Sequence, residues 1–480
     1  MYVLAGGLRW NNNKNNGGGS VLDIIMFLGY IGLVLGIGRY WSRRIHSTED
    51  FHLCGRKLGK LPASLSLAAT EFSGSGMIGG AGLVYAIGLS GIYWTYAAIP
   101  AYIFLGIFVA PKLRRLKLTT VPEYIGMKFG VNTQRLTAML EIVEAVSFVA
   151  VQILVSALLL SALFDLTIAQ SSIIITAVFA IYTMMGGLWA VVWTDALQYV
   201  VLMVGIIIAV VLALNAVGGV AGLQENLPKE YFSLAEMGLW TPLAWGALAL
   251  YSYGVDQAYV QRALAARDAA TARFAYIFTG CNYIVFGGCV AILGLASAVL
   301  VPGLESQDQA LPELVAQVLP EGVRALIMTA VMAATMSTSS SFLAGASSMA
   351  IQDLYEPIFG HGASQEKQVF HSRVVTAVLA AVALIISLVF PGVVSLVVFA
   401  TLVAPAAIFI PFIMSIFWDN TPKRAGFWAI LVSAIAGCTS QVLWYGQVDG
   451  WLGTIHPLFI APIAALAVMI PAAVSNKARQ

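Results

Sequence analysis

The sequence predicts an all-α polytopic membrane protein, and three observations carry that reading. Of its 480 residues, 59% are hydrophobic and 10% are charged, against about 25% charged in a soluble domain. Apolar runs long enough to cross a ~30 Å hydrocarbon layer recur from Val21 onward. Lys and Arg gather in alternate connections between those runs, as in a chain threaded back and forth through a bilayer. The lipid bilayer is therefore the first expected partner.

Thirteen spans are expected, at roughly 21–42, 61–87, 91–111, 135–163, 170–189, 194–217, 240–258, 272–301, 322–350, 370–390, 393–417, 424–445 and 455–475. The first connection holds Arg43, Arg44, Arg56, Lys57 and Lys60, and the third holds Lys112, Arg114, Arg115, Lys117 and Lys128. Arg262, Arg267, Arg273, Lys423, Arg424, Lys477 and Arg479 are read onto the same side. The opposite connections are poor in cations: 302–321 carries Glu305, Asp308, Glu313 and Glu321, and 446–454 carries only Asp449. The positive-inside rule then puts the N-terminus outside the cell membrane and the C-terminus in the cytoplasm. Residues 1–20 end in the polar tract NNNKNNGGGS and read as a disordered extracellular tail.

Two spans are interrupted. The second contains TEFSGSGMIGGAG (70–82), rich in glycine around the acid Glu71, and the seventh contains YSYGVDQ (251–257). Unwound backbone at membrane depth is tolerated where it lines a cavity. Close helix packing through small residues is the alternative reading. The interruptions lie five spans apart, as an inverted repeat predicts, with a first five-helix repeat over 61–217 and a second over 240–417. The helix at 21–42 flanks the repeats on one side, and two helices with a tail (424–480) flank them on the other.

The ninth span carries MSTSSSF (336–342), five hydroxyl residues in succession. At about 100° per residue, Ala334, Ser337, Thr338, Ser341, Gly345 and Ser348 form one stripe, Ser340 flanks it and Ser339 points away. Hydroxyls can bond back to their own helix. A run of five also suits an oxygen-lined site for a hard cation. In GGLWAVVWTDALQYVVLMVG (186–205), Asp195 opens the sixth span. With Gln198 it reads either as a capping box or as an intramembrane acid that holds a cation. The four cysteines form no CxxC, the five histidines form no metal motif, and no GxxxxGK[ST] phosphate loop is present. An enzyme, an organic cofactor and a nucleic-acid partner are not expected.

The segment 186–205 resembles the signature of the sodium/solute symporter family, which includes proline, sugar, sialic acid and pantothenate transporters. DFHLCGRKLG (50–59), TTVPEYIGMKFG (119–130), DQAYVQRALAAR (256–267) and MSTSSSFLAGASSMAIQDLYEP (336–357) follow the family in order. The resemblance implies a LeuT-like five-plus-five inverted repeat with flanking helices, working as a sodium-coupled symporter by alternating access. It implies Na+ as coupling ion on the carbonyls of Ala69, Phe72 and Ala334 with the hydroxyls of Ser337 and Thr338. Ser340, Ser341 and Asp195 match a second sodium position found in some members.

For the solute, the resemblance points to Thr70, Glu71, Ser73, Gly74 and Gly76, to the middle of the fourth span with Glu141 and Glu144, and to Ser252 and Tyr253. The proline branch pairs a Trp and a Tyr where this chain has Ala249 and Tyr253. The sugar branch uses Asn and Gln where Glu71 and Gly76 stand, and the sialic acid branch uses an Arg absent from the middle of the fourth span. Acidic and aromatic residues together suit an amine, an amino acid or another zwitterion. Carboxylate or sugar symport, a proton-coupled or uncoupled permease using Glu71 or Asp195, and a transporter-like sensor are the alternatives.

Overall fold

Helix is the dominant structure because a backbone in hydrocarbon must satisfy its polar groups within its own segment. The computed structural model describes residues 21–164, 166–359, 364–389, 393–418, 421–445 and 457–477. The expected tail at 1–20 and the connection bearing Asp449 lie outside the described residues. The helices that position the site are α1 (Val21–Ser42), α2 (Thr48–Leu53), α3 (Lys60–Glu71), α4 (Gly74–Ile87), α5 (Ala98–Phe108), α6 (Val121–Phe129), α7 (Val131–Phe164) and α8 (Ile168–Val217). They continue with α9 (Trp240–Val255), α10 (Gln257–Ala265), α11 (Ala269–Leu300), α12 (Glu321–Met349), α13 (Gln365–Val389), α14 (Val393–Phe417), α15 (Lys423–Tyr445) and α16 (Pro457–Lys477). Helix occupies each of the thirteen expected segments. Among the described residues, eight helical stretches are individually long and apolar enough to cross a membrane.

Both interruptions are real breaks. Between α3 and α4, Phe72 leaves helical geometry (φ −75°, ψ 64°). The Ser73 amide donates to the Glu71 carbonyl at 2.7 Å, and the Ser73 hydroxyl accepts from the Gly76 amide to cap α4. Between α9 and α10, Asp256 takes ψ 124° and starts a new helix. The alternative of close packing also holds in the first segment. A Cβ on Gly74 would lie 2.6 Å from Thr335 Cγ2 of α12, so the missing side chain sets how near the two helices come.

The fifth and sixth spans differ from expectation. They form one helical run of 50 residues, which at 1.5 Å per residue is ~75 Å and more than twice the hydrocarbon thickness. The run turns at Gly187 (φ 52°, ψ −146°), not at a linker around 190–193. A Cβ there would lie 2.3 Å from the Phe51 carbonyl oxygen. Asp195 therefore sits about two turns inside the second segment and caps nothing. Gln198 donates to the Tyr30 hydroxyl instead of closing a capping box. Trp189 stacks on Trp41 at 4.5 Å, and Trp193 is exposed.

The segments before α3 and after α10 are tied together. Leu58 and Ala266 form a parallel bridge, with the Leu58 amide donating to Ala265 and the Arg267 amide donating to Leu58. Arg56 donates to the carbonyls of Lys117 (2.7 Å) and Leu118 (3.0 Å), and Arg114 donates to those of Ala266 and Arg267. The connections leading into the two broken helices thus form one knot of backbone and arginine bonds.

Gly187→Val combines a strained positive φ with a clash, and is expected to cost about 2–4 kcal/mol. Gly79→Ala, with nothing within 4 Å of the added carbon, is expected to leave stability unchanged or slightly raised. Thermal unfolding midpoints of the purified variants check both.

Candidate functional site

The break between α3 and α4 frees carbonyl groups that an intact helix would satisfy. The last regular bond of α3 runs from the Phe72 amide to the Ala68 carbonyl at 2.8 Å. The next two carbonyls take partners from α12. Ser337 Oγ donates to Ala69 O at 2.8 Å, and Thr338 Oγ1 donates to Thr70 O at 2.9 Å. The same hydroxyls lie 2.8 and 3.0 Å from the Ala334 carbonyl of their own helix.

A hydroxyl owns one proton and two lone pairs. Three carbonyls and two hydroxyls therefore meet around two protons, in a place where all five residues are buried. Such a surplus of oxygen lone pairs is what a hard cation needs. The two readings of the hydroxyl stripe coincide here, because each hydroxyl bonds back to its helix and also faces the broken one. Phe72 contributes the break itself, and its ring stacks on Phe286 at 4.2 Å and meets Tyr283 edge-on. Ser339 bonds only back, to Thr335 O at 2.8 Å, as the stripe geometry requires.

Asp195, Ser340 and Ser341 separate. Asp195 Oδ2 accepts from Ser66 Oγ at 2.6 Å, from Arg262 Nη2 at 3.0 Å and from Ser341 Oγ at 3.3 Å. The Arg262 guanidinium also donates to Ser66, Ser341 and the Ala258 carbonyl. Ser340 turns instead to the Ser337 carbonyl. Thr70, expected on the solute side, directs its hydroxyl to Ser66 O and Ser341 Oγ, both at 2.8 Å. Arg262, expected in a charged connection, is wholly buried within α10. This network ties α3, α8, α10 and α12 together around one ion pair. Asp195 Oδ1 keeps no hydrogen bond.

Glu71 is the centre of a third group. Its carboxylate accepts from Tyr253 and Tyr283 on one oxygen and from Tyr102 on the other at 3.2 Å. Tyr102 and Tyr253 stack at 4.5 Å. Glu71, Gly76, Ser252 and Tyr253 are half-buried, whereas Asp195 is fully buried. Sequence alone missed Tyr102 and Tyr283, because single tyrosines in apolar spans carry no pattern. Arg262 had a signal, a cation six residues past the helix break at Asp256. Glu144 is not part of this group: its partner is Asp256.

A buried oxygen-rich focus beside a broken helix, next to a carboxylate ringed by tyrosine hydroxyls, fits a secondary transporter of the LeuT-like fold. The sodium:solute symporter family profile matches residues 51–433, and the chain belongs to that family. It is a sodium-coupled transporter with Na+ as coupling ion, and not an enzyme. The sodium/glucose cotransporter 4 of Danio rerio is 26% identical over 519 residues, covering 94% of this chain and 78% of that one. The sodium/glucose cotransporter of Vibrio parahaemolyticus is 26% identical over 465 residues, covering 86% and 84%. A Na+-coupled sialic acid symporter of known structure superposes with TM-score 0.83 at 21% identity, over 95% of this chain and 98% of that one.

Asp195→Asn strands a buried guanidinium and is expected to cost about 3–5 kcal/mol. Adding Arg262→Gln is expected to return most of that loss. A double-mutant cycle on unfolding midpoints checks the coupling, and additive effects would show that the pair is energetically idle.

Proposed function

We propose that this chain imports a small polar organic solute together with Na+ by alternating access, with the solute held at Glu71 and the sodium at Ala69, Phe72, Ala334, Ser337 and Thr338. The observation that carries this reading is adjacency. The carbonyls of Ala69 and Thr70 and the carboxylate of Glu71 belong to three consecutive residues at one helix break. Sodium binding there orders the backbone that also positions the acid, which is positive coupling between two ligands. Ser73, Gly74 and Gly76 frame the recess on one side, and Ser252 and Tyr253 frame it on the other.

An amine, amino acid or other zwitterion is the favoured solute class. A carboxylate surrounded by tyrosines and with no ion-pair partner among the described residues suits an ammonium group. A polyol is the second reading, because relatives of this chain include sodium/glucose and sodium/myo-inositol cotransporters. Tyrosine hydroxyls and a carboxylate can also exchange hydrogen bonds with sugar hydroxyls. Glu144 belongs to a different cluster and is left out of the solute site.

A second sodium at Asp195, Ser340 and Ser341 requires the Arg262 guanidinium to withdraw, since it already supplies the positive charge at Asp195 Oδ2. With the N-terminus outside, the Leu58–Ala266 bridge and its arginines close the cytoplasmic side. The half-buried Glu71 then faces outward.

The test is a thermal-shift screen of the purified chain against amines, amino acids, carboxylates and polyols, in Na+ and in choline. Ser337→Ala and Thr338→Ala are each expected to raise the sodium concentration for half-maximal stabilisation about tenfold, equivalent to about 1.4 kcal/mol. A solute that stabilises only in Na+ fixes the class, and equal stabilisation in choline would point to an uncoupled permease.

A further inference from the structure

Three carboxyl groups outside the sodium and solute sites meet where α7, the α9–α10 break and α12 converge. Glu141, Glu144 and Asp256 are 2%, 4% and 4% exposed. With Gln257, Phe342 and Met349 they line a cavity of about 10 Å³. Both oxygens of Glu141 lack a hydrogen bond of good geometry, although the Gln257 amide lies beside it, and Asp256 Oδ1 also lacks one. The carboxyls of Glu144 and Asp256 face each other within hydrogen-bonding reach.

Two ionised carboxylates are acceptors only, so a bond between them requires one to carry a proton. Contact between two such groups also prevents both from ionising. No Lys, Arg or His lines the cavity among the described residues. The charged groups acting on the three are one another, Asp353 just beyond the end of α12, and Glu71, all of them acids. α12 presents only Phe342, Ala346 and Met349 to the cavity. A cavity with room for about one water excludes an organic ammonium ion. Among the described residues no group of three or more His, Cys, Asp or Glu side chains is arranged to hold a metal ion. A proton is the cation that this small space and these facing acids fit.

We propose that Glu144 and Asp256, with Glu141 beside them, form a proton-binding site distinct from the sodium and solute sites, whose shared proton joins the second broken helix to the continuous helix α7. The proton resides on one carboxyl oxygen and is donated to the other. When α9–α10 moves away from α7, the bond breaks, both groups gain water, and the proton passes to that water. Helix separation and proton release are then one event, whichever solute is carried.

Infrared spectroscopy of the purified full chain in D₂O at about pH 7, well above the ordinary carboxyl range near 4, tests this directly. The difference between wild type and Glu144→Gln/Asp256→Asn is expected to show the C=O stretch of at least one protonated carboxyl, present only in wild type. A proton on Glu71 would appear in both spectra and cancel. Glu144→Gln alone is expected to remove the same band, because its amide can donate to an ionised Asp256, and this near-isosteric variant serves if the double variant does not fold. Identical carboxyl bands in wild type and Glu144→Gln would overturn the proposal. The readout requires neither sodium nor solute, so its failure is separable from failure of the symport reading.

Discussion

The whole site depends on one constraint: carbonyl groups released by a helix break have no water to bond with inside the membrane. An unsatisfied buried backbone group costs about 1–3 kcal/mol. The break at Phe72 would therefore be too costly to keep unless something nearby answered the carbonyls of Ala69 and Thr70. The hydroxyls of Ser337 and Thr338 do so. Because those hydroxyls also bond to Ala334, they answer it incompletely. The incomplete answer gives a cation somewhere to bind.

The same economy of polar groups organises the surroundings. Arg262 neutralises Asp195 and gathers Ser66 and Ser341, so four helices share one buried charge pair. Glu71 receives tyrosine hydroxyls in place of a cation and stays partly open. The carboxyls of Glu144 and Asp256 face each other. Four acids near the two breaks thus have three different solutions to burial: an arginine, a set of phenols and a shared proton. Of these four, only the phenol-bound acid is less than fully buried, which is the ground for proposing it as the solute group.

Much of this was legible in the sequence, and the parts that were not have physical reasons. The hydroxyl stripe followed from helical spacing, and Ser337, Thr338 and Ala334 do converge. The breaks followed from glycine beside an acid. Of the two readings of Asp195, the capping box failed because the helix turns earlier, at Gly187, where a positive φ and the nearby Phe51 carbonyl matter more than the D-x-x-Q pattern. Arg262 was misplaced because positive-inside counting treats every cation near a span end as solvated. Thr70 was set on the solute side with Glu71 by the resemblance, whereas successive side chains on a helix point about 100° apart. Tyr102 and Tyr283 come from helices far away in sequence, and no local pattern could bring them to Glu71.

Hydrogen–deuterium exchange over residues 66–77, followed as Na+ replaces choline at constant ionic strength, tests the central claim most directly. If the freed carbonyls and the hydroxyl stripe hold the coupling ion, amides around Phe72–Met77 gain protection in Na+, and Ser337→Ala with Thr338→Ala abolishes the gain. Equal exchange in Na+ and choline, or a sodium effect that survives both substitutions, would contradict it.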